Sequence, residues 1–268
     1  DNGGTVTPTD NSVSTGKIVA DAITSAKIAD DAVTGDHIAS SGAFAIGAAN
    51  TASSIAGVTF YVGQSGSIYT SDVSGTDDSA ENNTAFGAAA MDAITTGDNN
   101  MAFGENALGA NTTGSDNIAI GLNAIDAADT EGSNIAIGRD ALGGSVAGGE
   151  YNVAIGNYAG DALTSGDSNV FIGYQAGSGN TTGQRGVAIG YQAMDNAATS
   201  STGNICIGYH AGRAIDSGEY NCFIGYTTGQ SNTTGSANVG IGQGCLPNPD
   251  TESNNIAIGM DTLAGSIA

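Results

Sequence analysis

The sequence predicts an all-β fold: a parallel β-roll, or β-solenoid, of about eleven 17-residue coils over residues 83–268. Three observations predict it. A five-residue line, clearest as Asn117-Ile118-Ala119-Ile120-Gly121 and Asn134-Ile135-Ala136-Ile137-Gly138, returns eleven times. Its closing glycines are Gly87, Gly104, Gly121, Gly138, Gly156, Gly173, Gly190, Gly208, Gly225, Gly242 and Gly259; the gaps are 17 residues, except for two of 18 (Gly138 to Gly156 and Gly190 to Gly208). Finally, each line alternates in side-chain type and is followed by a polar turn, such as Asn111-Thr112-Thr113-Gly114 or Asn180-Thr181-Thr182-Gly183. A fixed short period is the mark of a solenoid, whose repeats bury their apolar residues only against one another.

Composition narrows the function classes. The chain has 43 Gly, no Trp, 3 Pro and only 5 Lys plus Arg among 268 residues, with 40% apolar content. That apolar fraction is too high for a disordered acidic tail, and the glycines have no three-residue period, which excludes collagen. The net charge of −22 repels phosphate backbones and anionic lipid surfaces, so nucleic acid is not an expected partner. No 18-residue apolar run is present, so no membrane insertion is expected in this segment. The first residue is Asp1, which reads as a processed start or a fragment.

From the N-terminus, residues 1–14 read as a polar lead-in. A ten-residue repeat follows, as Lys17-Ile18-Val19-Ala20-Asp21-Ala22-Ile23-Thr24 and Lys27-Ile28-Ala29-Asp30-Asp31-Ala32-Val33-Thr34, with a shorter copy at His37-Ile38-Ala39. One copy is too thin to close a core, so residues 15–42 read as an intertwined shaft pooling apolar columns from three chains. A short helix is the alternative, weakened by the β-branched steps. The expected organisation is thus a lead-in and shaft over 1–42, a transition segment over 43–82 and the roll over 83–268. Within the transition, Phe44-Ala45-Ile46-Gly47 and Phe60-Tyr61-Val62-Gly63 read as degenerate coils or a hairpin.

Aligned on the repeat glycine, the columns have distinct chemistry. Position −1 is always large and apolar, from Phe86 to Ile258, and −3 is mostly Ile or Val, such as Ile118, Ile135 and Val153. Position −2 is usually Ala. This alternation places −3 and −1 on one strand face and −2 on the other. The expectation is that −3 and −1 fill the roll, while the small −2 column faces outward and admits a neighbouring chain. After the glycine a second short strand is expected, with Ala at +3 and Leu, Ile, Met or Gly at +4. Asn stands at −4 in ten of eleven coils, Gly186 being the exception, and should form a hydrogen-bonded ladder along the axis. A strand apolar on both faces is one covered on both, so several rods are expected to associate laterally.

The Asn-x-Ala-Ile-Gly-x-x-Ala line resembles the head repeats of trimeric YadA-like adhesins. Gly173-Tyr174-Gln175-Ala176 and Gly190-Tyr191-Gln192-Ala193, beside an Asn-Thr-Thr-Gly turn, are similar to repeats of phage tail fibres, and the stretch from Lys27 to Thr34 looks like fibre shaft repeats. The resemblance implies a homotrimeric β-roll fibre on a virion or cell surface. It implies a role in host attachment, most directly as a phage tail fibre, with a bacterial surface adhesin or extracellular filament subunit as the alternative. The 17-residue period is longer than the usual adhesin head repeat. A monomeric solenoid binding polysaccharide or ice is a further alternative, but its flat face needs an exposed Thr array and the Thr residues here lie in turns.

Chemical motifs are sparse. His37 and His210 are the only histidines, no P-loop, nucleophile elbow, HExxH or CxxC occurs, and no enzyme activity, cofactor or catalytic residue is expected. Asp98, Asp116, Glu131, Asp167 and Glu219 are of the type that Ca²⁺ takes, but they read as solvated turn charges and no metal is expected. Cys206 and Cys222 fall on opposite pleat faces of adjacent coils, which disfavours an intrachain disulfide; Cys206 and Cys245 read as small core residues, with an interchain bond near a symmetry axis as the alternative. Asn82, Asn111, Asn180 and Asn232 fit the glycosylation sequon but read as turn residues. Tyr174, Tyr191, Tyr209 and Tyr226 occupy +1 in four successive coils. They are the candidate contacts for a host receptor or glycan, with a packing ladder as the alternative reading.

Overall fold

The three residues before each repeat glycine form a strand, and the strands stack in sequence order. The computed structural model describes residues 53–55, 58–62, 67–70, 79–144, 149–196, 201–247 and 251–264. The expected shaft over 15–42 and the strand expected at 44–47 lie outside the described residues. A short lead-in, β1 (Ser53–Ile55) and β2 (Val58–Val62), pairs antiparallel, and β2 pairs antiparallel with β3 (Ile68–Tyr69). The repeat strands follow: β4 (Thr84–Phe86), β5 (Met101–Phe103), β6 (Ile118–Ile120), β7 (Ile135–Ile137), β8 (Val153–Ile155), β9 (Val170–Ile172), β10 (Val187–Ile189), β11 (Ile205–Ile207), β12 (Cys222–Ile224), β13 (Val239–Ile241) and β14 (Ile256–Ile258). From β3 onward every neighbouring pair is parallel, twelve strands in all, and each repeat column meets itself: Ala119 lies opposite Ala136, and Ala136 opposite Ala154. The described residues contain no helix. This is a β-solenoid, and at about 4.8 Å per strand the eleven repeat strands make a rod roughly 50 Å long.

Each coil has one strand rather than two. The segment after the glycine hydrogen-bonds from coil to coil, as Asn123 N to Glu105 O (3.0 Å) and Ile125 N to Ala141 O (3.1 Å), but its backbone is not extended. Positions +2 and +4 sit in the left-handed region, with φ of 54° at Asn123 and 49° at Ile125. Two left-handed residues one apart curl the chain and break the pleat. The glycines at +4, Gly160, Gly177, Gly212 and Gly229, are the sequence trace of this; in the other coils Met, Leu or Ile holds the same backbone.

The strand faces are the reverse of the expected ones. Ala85, Ala102, Ala119, Ala136, Ala154 and Ala188 at −2 are wholly buried, as is every Ala at +3, whereas Ile120, Ile137, Ile155 and Ile241 at −1 keep over a third of their surface open. The physical reason is the width of the coil. One column from the strand and one from the far wall share the interior, so −2 Ala meets a large +4 residue: Met91, Leu108, Ile125, Leu142 and Met194 are all fully buried. Where −2 is Phe, +4 is Gly. A Cβ at Gly177 would collide with the Phe171 ring, and one at Gly229 with the Phe223 ring. The interior has room for one large side chain per layer, and the bulky −3 and −1 columns are left outside.

The Asn ladder forms as expected. Asn117 N donates to Asn100 Oδ1 (2.9 Å), Asn134 N to Asn117 Oδ1 (3.0 Å), Asn152 N to Asn134 Oδ1 (2.9 Å) and Asn169 N to Asn152 Oδ1 (2.9 Å). Each Nδ2 reaches a turn carbonyl 14 or 15 residues on, such as Gly114 from Asn100 (2.8 Å) and Gly149 from Asn134 (2.9 Å). The side chain thereby ties the strand of one coil to the polar turn of the next, out of water. The repeat glycine closes the strand at φ between +123° and +146°, and a Cβ there would overlap the following glycine's carbonyl in the next coil, so no other residue fits from Gly87 to Gly242.

Gly186 is the gap in the ladder, offering Asn204 no side-chain oxygen. A Cβ at Gly186 would meet Asn169 Oδ1 at 3.1 Å and Met194 Cε at 3.7 Å, so a small shift of the Asn169 side chain makes room for it. Gly186→Asn is therefore expected to stabilise the rod by about 1 kcal/mol, measured as a rise in the denaturation midpoint; a lower midpoint would contradict the ladder account.

Candidate functional site

The outward strand face is a continuous apolar surface along the described coils. Its −3 and −1 columns hold 22 side chains from Thr84 to Ile258, and none is charged, although the chain carries −22. Met101 and Phe103 are each 40% exposed, and the Phe86 and Phe103 rings stack at 5.0 Å. This stripe runs from β4 to β14. A charge-free stripe of Ile, Val and Phe on so acidic a molecule is the feature that distinguishes an interface from a solvated face.

The next outward column is +1, just past the glycine. In the coils after β9, β10, β11 and β12 it holds Tyr174, Tyr191, Tyr209 and Tyr226, all exposed. Parallel in-register strands stack these rings, with centroids 5.3, 5.4 and 5.0 Å apart and planes within 17°, 12° and 8° of parallel. Tyr158, one position further along the preceding coil, closes the first end edge-on at 6.0 Å, with the Arg139 guanidinium 4.9 Å from its own ring. The four candidate residues named from the sequence are thus brought together.

A second row, not singled out from the sequence, runs beside the ladder at +2. Gln192 Nε2 donates to Gln175 Oε1 (2.8 Å), His210 Nε2 donates to Gln192 Oε1 (2.9 Å), and the His210 ring stacks on Tyr209 at 3.9 Å. Partial burial, with the Arg213 charge adding to it, pushes the His210 pKa below the ordinary imidazole value. Arg213 is itself paired with Asp195 at 3.0 Å. The signal that could have revealed this row was the run of amide and imidazole side chains at +2, whose spacing is that of the tyrosines.

The turn acids serve the turns. Asp98 Oδ1 accepts from Glu81 N (2.8 Å), Asp167 Oδ1 from Glu150 N (3.0 Å), Asp116 Oδ1 from Asn99 Nδ2 (3.2 Å), and the Glu131 carboxylate accepts from Asp129 N and Thr130 N (3.1 and 3.0 Å). Glu219 donates its backbone N–H to Ser236 Oγ at 3.0 Å. Burial raises the pKa of Asp126 and of Asp161, with the Asp140 charge contributing to both. Among the described residues no group of three or more His, Cys, Asp or Glu is placed to hold a metal, and no pocket opens. Cys206 and Cys245 are buried, Cys222 is on the outward face opposite Ile205, and all three are free thiols. Burial drives the Cys206 thiol pKa far above its ordinary value. Asn111, Asn180 and Asn232 of the sequons are fully buried in their turns.

What this arrangement offers is two adjoining surfaces, an apolar stripe and an aromatic ladder with an amide row. The chain matches no family model, no curated protein and no solved structure, so its function has to be read from these two surfaces.

Proposed function

We propose that this chain is a structural and adhesive fibre protein, three copies of which associate side by side through the outward apolar stripe. The rod then spans distance at a virion or cell surface and presents its remaining faces to a host receptor or glycan. The decapeptide repeats and the Gly-Tyr-Gln-Ala coils favour a phage tail fibre; a bacterial surface adhesin or filament subunit is the alternative use of the same rod. The observation that carries the reading is the absence of charge in the 22 positions of the stripe on a chain of −22. On a chain of −22 a face without charge along its full length meets its own copy without Coulombic cost. A strip roughly 50 Å long is also long enough to approach the ~800 Å² per partner that stable interfaces bury.

The test is the molar mass of the full chain in solution, alone and with Ile155→Asp plus Ile189→Asp. The chain is expected at three times its 26.1 kDa. The double variant is expected as a monomer with its β-sheet circular dichroism retained, because the inner Ala columns are untouched. A wild-type chain that stays a stable, soluble monomer overturns the proposal. Cys222 offers a native probe: a short bis-maleimide should link chains through it under native conditions, while buried Cys206 and Cys245 stay unlabelled.

A further inference from the structure

We propose that the ladder from Tyr174 to Tyr226 binds an uncharged, extended glycan chain laid along the rod axis, one sugar unit to each coil. The inference rests on the adhesive reading above and names its ligand and its place.

Folding does not require these tyrosines. The same +1 position holds Ala88, Glu105, Leu122, Arg139, Asn157 and Gln243 in other coils, all in the same backbone setting. That list also identifies the column as solvent-facing in the assembled rod. Glu105 and Arg139 are exposed charges, which the stripe excludes at every one of its positions. A run of four exposed tyrosines in a column that accepts anything calls for a reason outside the fold.

The chemistry of the patch selects the ligand. Between the −3 and +2 columns, the coils containing Gly173, Gly190, Gly208 and Gly225 have no charged side chain, and the nearest ion pair, Arg213 with Asp195, satisfies itself at 3.0 Å. Partial burial and the Arg213 charge disfavour the charged form of His210. An ionic ligand finds no counter-charge there, and the acidic surroundings repel anions. The offered groups are phenol hydroxyls, ring edges and the carboxamides of Gln175 and Gln192. These donors and accepters of hydrogen bonds beside apolar edges complement a molecule with hydroxyls around an apolar ring, which describes a neutral sugar.

Geometry selects the extended chain over a single sugar. The ring faces inside the ladder are covered by their neighbours, so a lone sugar cannot stack on Tyr191 or Tyr209. What repeats outward is a row of edges and hydroxyls every 5.0 to 5.4 Å. That is close to the advance of one sugar unit in an extended, equatorially linked polysaccharide. Tyr226 ends the row; it is the most exposed of the four at 53%, and its second face has no aromatic ring against it. Within the ladder it is the ring that offers a face on which a sugar can lie flat.

Affinity electrophoresis of the full chain through gels containing neutral β-glucan, glucomannan or hydroxyethyl cellulose, with anionic polygalacturonate as comparison, tests the proposal. Retardation by at least one neutral polymer and none by polygalacturonate is expected. Tyr191→Ala plus Tyr209→Ala, an exchange for which Ala88 is the native precedent, is expected to weaken binding roughly tenfold or more, and Tyr226→Ala to weaken it as well. Since the chain has no Trp, its emission comes from tyrosine and gives a direct titration signal with a soluble hexasaccharide of the retarding polymer. No retardation by any neutral polymer, or binding unchanged in the double variant, overturns the site. Molar mass on the same samples separates the two proposals: a trimer that does not bind sinks this one alone, and a monomer that binds sinks the trimer alone.

Discussion

Replacing Asn152 with Ala is expected to destabilise the rod by about 2–6 kcal/mol, far beyond an ordinary surface change. Asn152 is fully buried and uses its whole carboxamide. Its Oδ1 accepts from Asn169 N at 2.9 Å and from Asn169 Nδ2 at 3.1 Å, and its Nδ2 donates to Gly166 O at 2.9 Å and Asn134 Oδ1 at 3.2 Å. Truncation strands the Asn169 amide and the Gly166 carbonyl where water does not reach, and each stranded group costs about 1–3 kcal/mol. Asn152→Asp should be no milder, because a carboxylate oxygen then confronts the Gly166 carbonyl and a charge is buried. The comparison is Asn82→Gly, in an exposed ladder where Asn82, at φ 58°, donates its Nδ2 to Asn99 Oδ1 at 3.3 Å; glycine keeps that backbone without strain, and the change should cost under about 0.5 kcal/mol. Denaturation midpoints of the two variants measure the difference, and equal costs would mean that the buried ladder does not hold the coils together.

Phe171→Ala is expected to cost about 3–5 kcal/mol, the usual range for emptying an aromatic site in a core. Here the loss has a specified remedy. Phe171 fills the layer that Gly160 and Gly177 leave open, and a Cβ at either glycine would strike its ring. Most other coils fill that layer from the opposite wall, with Leu108 at φ 53° and Leu142 at φ 48° at the matching position. Gly177, at φ 60–65° like Gly160, already has the backbone that those leucines accept. Gly177→Leu alone should destabilise by collision, whereas Phe171→Ala with Gly177→Leu should recover a large part of the loss. Thermal melts of the three variants decide it. A double variant no better than Phe171→Ala would show that the two walls do not share one volume.

That shared volume also explains which parts of the fold could be read from the residues. The 17-residue period is written in Gly87 to Gly259, because a glycine backbone at φ near +137° under a neighbouring carbonyl admits no substitute. The Asn ladder was legible for the same kind of reason: only a side chain with both a donor and an acceptor repeats its bonds indefinitely. The separation of Cys206 from Cys222 followed from the two-residue pleat. Which face was inside did not follow, since alternation of Ile, Ala and Ile defines two faces without ranking them. Size suggested that Ile118 and Ile120 fill the roll; the narrow coil puts Ala119 there instead. The clue was present in the exchange of Ala119 with Ile125 for Phe171 with Gly177, a trade of volume between −2 and +4. The left-handed positions were hidden more deeply, because Ile125 and Tyr158 adopt a conformation that their types disfavour and only the stacking holds them in it.

For the candidate site, the four tyrosines were legible as a column, and the outward stripe was not, because it was assigned to the interior. The Gln175, Gln192 and His210 row went unread since single polar residues at a variable position look like surface filler until their 5 Å stacking is seen.

Apart from short bonds inside the turns, the hydrogen bonds of the rod join neighbouring coils, 13 to 19 residues apart, so a coil knows only the coil before and the coil after. Cross-section and reach are therefore separate properties of this molecule. Inserting or deleting one whole coil should change the reach by about 4.8 Å while leaving every surrounding layer as it was. A lineage carrying such a rod can tune how far it extends in unit steps, and can place a tyrosine-bearing coil at any height along it, without redesigning the fold.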